Sequence, residues 1–132
     1  MPLSIKELEG LTTSIGWVKG LTVGLERLWR ERAVKNHLDL IVLRLLKDKP
    51  RWGYEINMAV RDMFGVYLSA GTLYPLLHSL EEEGYVEGLW EAEKGKGRER
   101  RIYRITERGK SFLTLGERAL KGVIRRLSLG EH

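Results

Sequence analysis

The chain of 132 residues contains no cysteine. Disulfide bridges, thiolate zinc sites and cysteine nucleophiles are therefore excluded, and a cytoplasmic location is the natural expectation. Glutamine is also absent, and asparagine occurs only at Asn36 and Asn57, while 31% of the residues are charged. That balance resembles hyperthermophile proteins. Long apolar runs are missing too. The longest weakly charged stretch, residues 11–25, is interrupted by Lys19, whereas a membrane span needs about 20 apolar residues. The opening MPLSIKELEG lacks the basic segment and apolar core of a signal peptide. His37, His78 and His132 are scattered, with no acidic partner at metal-ligand spacing, so neither a metal nor another cofactor is expected. No serine has a base near it in sequence and no carboxylate pair stands out, which argues against an enzyme.

What the chain does have is basic charge in one place. Its formal net charge is +5. Residues 94–110 hold eight basic and two acidic side chains, a local net of +6, so the rest of the chain carries −1. Net basicity points to a polyanionic partner.

The hydrophobic pattern supplies the scaffold. Ser4 and Glu7 form a capping-box pattern. Residues 17–35 read mostly as helix, with Gly16, Gly20 and Gly24 on one face and i,i+4 pairs at Glu26–Arg30 and Glu31–Lys35. Glycines on one face suggest close approach of another backbone, as in a soluble dimer, with Trp17 and Trp29 packing in its core. Residues 37–47 form a helix that is apolar almost all round. A second runs over residues 53–64, with Ile56, Ala59, Val60 and Met63 inward and Gly65 ending it. A third follows at once, capped by Ser69 or Thr72, with Leu73, Leu76, Leu77 and Leu80 inward.

The period then changes. Residues 85–91 and 100–106 read as strands, with Tyr103 and Ile105 inward, around a glycine-rich basic tip. Thr106 caps a last helix whose Leu113, Gly116, Leu120, Val123 and Leu127 follow a heptad seam. The fold class is therefore mainly α with a small β-hairpin. Three short helices followed by a hairpin give the winged helix-turn-helix order, in which the third helix enters the DNA major groove and the wing contacts the backbone or minor groove. The outer face of that third helix carries Thr72, Tyr74, Pro75, His78 and Ser79, able to bond base edges or phosphates. Glu81, Glu82 and Glu83 should point away from a duplex. In the wing, Lys94, Lys96, Arg98 and Arg100 can neutralise phosphates. Trp52 reads as a surface aromatic beside the phosphate backbone, and Trp90 as packing within the hairpin.

On these residues the chain resembles the PadR family of transcriptional regulators. The matching segments are GYEI at 53–56, LSAGTLYPLL at 68–77, LEEEGYV at 80–86 and GRERRIYRITERG at 97–109. The resemblance implies a dimeric DNA-binding protein, in most members a repressor, with a small-molecule effector in some. By position it implies that Tyr54, Ser69, Thr72, Tyr74 and His78 face DNA, with Arg98 and Arg100 in the wing. Departures are Glu99 at a usual wing proline, Ile102 at the first of two usual tyrosines, and a last helix without tryptophan. The aromatic drug-binding pore of some short members is therefore not transferred.

Three regions are expected: an N-terminal helical arm (residues 1–36), a winged helix-turn-helix domain (37–107) and a C-terminal dimerisation helix (108–132). The arm should pack on the last helix, and Leu113, Gly116, Leu120, Val123 and Leu127 should form the dimer. The function expected is sequence-specific binding of double-stranded DNA at a pseudo-palindromic operator by a homodimeric repressor with no membrane partner. The alternative is a winged-helix protein–protein interaction module within a larger assembly, which would need no basic wing.

Overall fold

Two units make up the computed structural model, residues 1–36 and 37–132. The described residues are 4, 6–7, 16–93 and 95–129. In the first unit, Ser4 and Glu7 cap each other: the Ser4 N–H donates to the Glu7 carboxylate and the Glu7 N–H to Ser4 Oγ, both at 3.1 Å. Helix α1 (Gly16–Asn36) follows. Its Leu21, Val23, Leu28 and Trp29 are exposed, whereas Val34 near its end is buried. Gly20 and Gly24 face open space within the single chain rather than another backbone. The Lys35 ammonium bonds Glu31 at 2.9 Å, and that bond holds the Glu31 carboxyl below its ordinary pKa.

The second unit runs α2 (Leu38–Asp48), β1 (Arg51–Trp52), α3 (Gly53–Phe64), α4 (Ala70–Glu82), β2 (Val86–Glu93), β3 (Arg98–Ile105) and α5 (Glu107–Leu129). Helix α2 buries Val42, Leu43, Leu45 and Leu46, as its near-continuous apolar sequence requires. Buried with these are Ile56 and Val60 of α3, Leu73, Leu77 and Leu80 of α4, and Val86 and Tyr103 of the sheet. Met63, expected inward, is exposed. Helix α3 ends at Gly65, whose φ of 69° is the left-handed conformation that glycine adopts without a Cβ penalty.

The connection from α3 to α4 is fixed by one side chain. Asn57 Nδ2 donates to the Leu68 carbonyl at 2.7 Å, and the Leu68 N–H donates back to Asn57 Oδ1 at 3.2 Å. Ser69 then stands at the N-cap of α4, its backbone carbonyl accepting from the N–H groups of Thr72 and Leu73. Of the two cap positions the sequence allowed, the first is adopted, so Pro75 lies inside the helix.

The hairpin is longer than the sequence suggested. Strands β2 and β3 pair in unbroken antiparallel register from Val86↔Ile105 to Glu93↔Arg98. Only residues 94–97 remain between them; Gly95 and Gly97 carry φ of 76° and 61°, which permits this tight reversal. Glu99 pairs with Ala92 within the register, in place of the usual proline. A third strand, β1, adds to β3 through Arg51↔Tyr103 and Trp52↔Ile102; two residues are too few to show a strand period.

Thr106 caps α5 as its sequence position indicated: Oγ1 accepts from the Gly109 N–H at 3.0 Å and donates to the Gly84 carbonyl at 2.6 Å. The expected seam on α5 divides in two. Leu113 is buried, and Gly116 lies so close to Leu40 of α2 that a Cβ there would crowd the leucine methyls. These two residues pack within their own chain. Leu120 is half-buried, whereas Val123 and Leu127, together with Ile124, are exposed.

Candidate nucleic-acid interface

Helix α4 spends its leucines inward and leaves the opposite side polar. Thr72, Tyr74, Pro75, His78 and Ser79 are exposed. Ser69 Oγ and Thr72 Oγ1 are 3.1 Å apart, so the two hydroxyls at the start of the helix form one bonded pair. Tyr74 leans back on α3: a Cβ at Gly53 would overlap its ring and hydroxyl. His78 Nε2 lies 3.0 Å from Glu82 one turn on, with both side chains largely exposed. Its contact is therefore with an acidic neighbour on its own helix. This face has hydroxyl, phenol and imidazole groups and no guanidinium, which limits strong bidentate guanine readout.

Along the wing, the basic residues divide by partner. Arg101 donates to Glu81 Oε2 at 2.6 Å, and the same oxygen accepts from the Gly88 N–H at 3.0 Å. Glu81, expected only to avoid a duplex, thus ties α4 to both hairpin strands. Arg104 pairs with Glu87 across the strands, and Lys110 with Glu107 on α5. Arg108 lies over the Tyr85 ring, with the guanidinium carbon 5.4 Å from its centroid. Glu81 and Glu87, both outside residues 94–110, thus neutralise two cations of that segment, while Glu107 pairs within it. Toward the tip, Arg100 stacks over Trp52 at 4.7 Å instead of meeting a carboxylate. Lys96 and Arg98 are exposed, while Lys94 lies outside the described residues.

A cleft of about 770 Å³ separates the wing tip from the start of α3 and α4. It brings together Tyr54, Tyr74, Lys96, Arg98 and Arg100 from the sequence-derived set. Ser69, Thr72 and His78 lie on the exposed surface of α4 outside its lining. Two further lining residues are Trp52 and Trp90, whose sequence positions indicate only a surface aromatic and a hairpin packing residue. A usable signal was available in the alternation of strand residues, but the register that brings them to one cleft was not. Among the described residues, no group of three or more His, Cys, Asp or Glu could hold a metal ion, and no helix is long and apolar enough to cross a membrane.

A helix-turn-helix followed by a three-stranded wing defines a winged-helix protein. The model of the transcriptional regulator PadR-like family matches residues 42–115. A transcriptional regulator of Mycobacterium tuberculosis is 42% identical over 67 residues, covering 51% of this chain and 61% of that protein. Among solved structures, a transcriptional regulator from Thermoplasma acidophilum has 30% identity and a TM-score of 0.66, covering 74% of this chain and 93% of that one. A PadR family regulator from Eggerthella lenta has 26% identity and a TM-score of 0.67, covering 89% and 98% respectively. This chain belongs to the PadR-like family of transcriptional regulators. It is accordingly a regulator and not an enzyme.

Proposed function

We propose that the chain acts in the cytoplasm as a homodimer that binds a pseudo-palindromic operator in double-stranded DNA and represses transcription by blocking polymerase access. The observation that carries this reading is a polar, exposed α4 face on a chain whose Tyr74, from the same helix, lines one cleft with the wing residues Lys96, Arg98 and Arg100. Thr72, Tyr74, Ser69 and His78 would choose sequence, and Lys94, Lys96, Arg98 and Arg100 would supply salt-sensitive affinity. In this reading the dimer forms through the exposed part of the seam. Val123, Ile124 and Leu127 leave an exposed apolar stripe on α5, which a second copy can cover with the same stripe about a two-fold axis. Two recognition helices would then meet major grooves about 34 Å apart.

Light scattering and fluorescence anisotropy test this together. The expected results are a mass of two chains at micromolar concentration, and a Thr72→Ala variant that narrows the affinity gap between operator and random duplex. A one-chain mass contradicts the dimer. An unchanged gap contradicts the role given to α4.

A further inference from the structure

The cleft beside the wing has more aromatic surface than a duplex can use. Paired, stacked bases hide their faces and offer a protein only edges, sugars and phosphates. Yet Trp90, Tyr54 and Tyr74 are each more than half exposed at this cleft. Trp52 tilts against Tyr54 with ring centroids 5.3 Å apart, and its ring carries the Arg100 guanidinium. Arg100 Nε is buried and has no hydrogen-bond partner among the described residues. The guanidinium is thus held against an aromatic ring, with one buried N–H unpaired.

The strand register explains how these groups converge. Trp90 pairs with Arg101, whereas Trp52 pairs with Ile102, so the two indoles belong to opposite faces of the sheet. Strand β1 pairs only with Ile102 and Tyr103, and the edge of β3 beyond it is left uncovered by β1. The cleft wraps this edge and so gathers side chains from both faces. By residue type its lining is basic: Lys96, Arg98, Arg100 and Arg101 stand beside one carboxylate, Glu99.

We propose that this cleft binds a nucleotide unit, with the base against the aromatic faces and the phosphate against Arg100 and the wing cations. Aromatic platforms beside arginine bind unpaired bases through stacking that tolerates any sequence. The cleft volume also falls within the range of small-ligand sites, about 300–1,000 Å³. A free mononucleotide and a single strand present the same chemistry. Only the consequence rests on the duplex-binding reading: an occupied cleft excludes a duplex from the wing side of the interface.

Indole N–H signals of the ¹⁵N-labelled full chain, assigned with Trp52→Phe and Trp90→Phe, test the proposal. The probes are adenosine monophosphate, a thymidylate hexamer, adenosine and inorganic phosphate. Shifts of the Trp52 and Trp90 signals are expected with the monophosphate if the source is free nucleotide, and with the hexamer alone if the source is a strand. Either result supports the site. No shift with either probe, shifts confined to Trp29, or equal shifts with inorganic phosphate overturn it. Trp90→Ala should weaken binding about fivefold or more, the equivalent of one lost stack, and Trp90→Phe should retain most of it; unchanged affinity in Trp90→Ala overturns the stacking role. A labelled random duplex at low salt provides the separate arm. Absence of duplex binding with the indole shifts intact overturns the duplex-binding reading and leaves this site standing. Probe binding that does not weaken duplex binding overturns the exclusion.

Discussion

Replacing Glu81 by alanine should loosen the wing from the recognition helix. One carboxylate oxygen accepts from the Gly88 N–H and from Arg101, at 3.0 and 2.6 Å. Both side chains of the ion pair are only about 30% exposed, so it is screened less than a surface pair. Hydrogen bonds to a charged group contribute about 1.5–3 kcal/mol each in protected settings. Partial exposure brings the pair of bonds to about 2 kcal/mol, or a fall in Tm of about 8 °C. Glu81→Gln keeps an acceptor for Gly88 and removes the charge, so it should cost about half as much. Thermal unfolding of both variants, with Arg101→Ala and the double variant completing a cycle, gives the coupling. A Tm within 1–2 °C of the parent for Glu81→Ala would refute the reasoning. So would a coupling near zero. Duplex affinity should fall in the same variant although a negative charge has been removed, because the wing no longer holds its angle to α4. A simple rise in affinity would mean that electrostatics alone governs the wing.

Three other outcomes follow from the packing. Asn57→Ala should lower urea stability by about 2 kcal/mol with little change in m, because both Leu68 backbone groups lose their partner. Gly109→Ala should cost about 2–3 kcal/mol in the same assay, since a Cβ would overlap the Tyr85 carbonyl oxygen and force α5 off the sheet. Burial raises the Tyr103 phenol above its ordinary value of 10.0. The unfolded chain therefore ionises first, and stability intact below pH 10 is lost as pH rises toward the folded pKa. Denaturant titrations at pH 9–11 should show a shallower fall for Tyr103→Phe than for the parent.

The helices were legible because their leucines recur at helical spacing and their stops are local: Gly65 and the Lys49–Pro50 break can be read without neighbours. What escaped the sequence depends on partners distant in the chain. Strand β1 is two residues long and exists only because β3 offers an edge. Gly116 sits at a seam position by spacing, but Leu40 fills the space above it, so spacing alone could not say which part of the seam stays open. The basic cluster was visible as a sum of charges. Its pairs with Glu81 and Glu87 required the hairpin register. Trp52 and Trp90 show the same limit, since the cleft they line is made by strand pairing and by Tyr74 leaning on Gly53.

The salt dependence of duplex binding tests the central claim most directly. For the parent chain, log K should fall linearly with log salt concentration. Each phosphate contact adds about 0.9 to the slope, so Lys96→Ala with Arg98→Ala should reduce it by about 2 per protomer, across operator and random sequences alike. An unchanged slope would contradict the wing's assignment, and the absence of duplex binding at low salt would contradict the account as a whole.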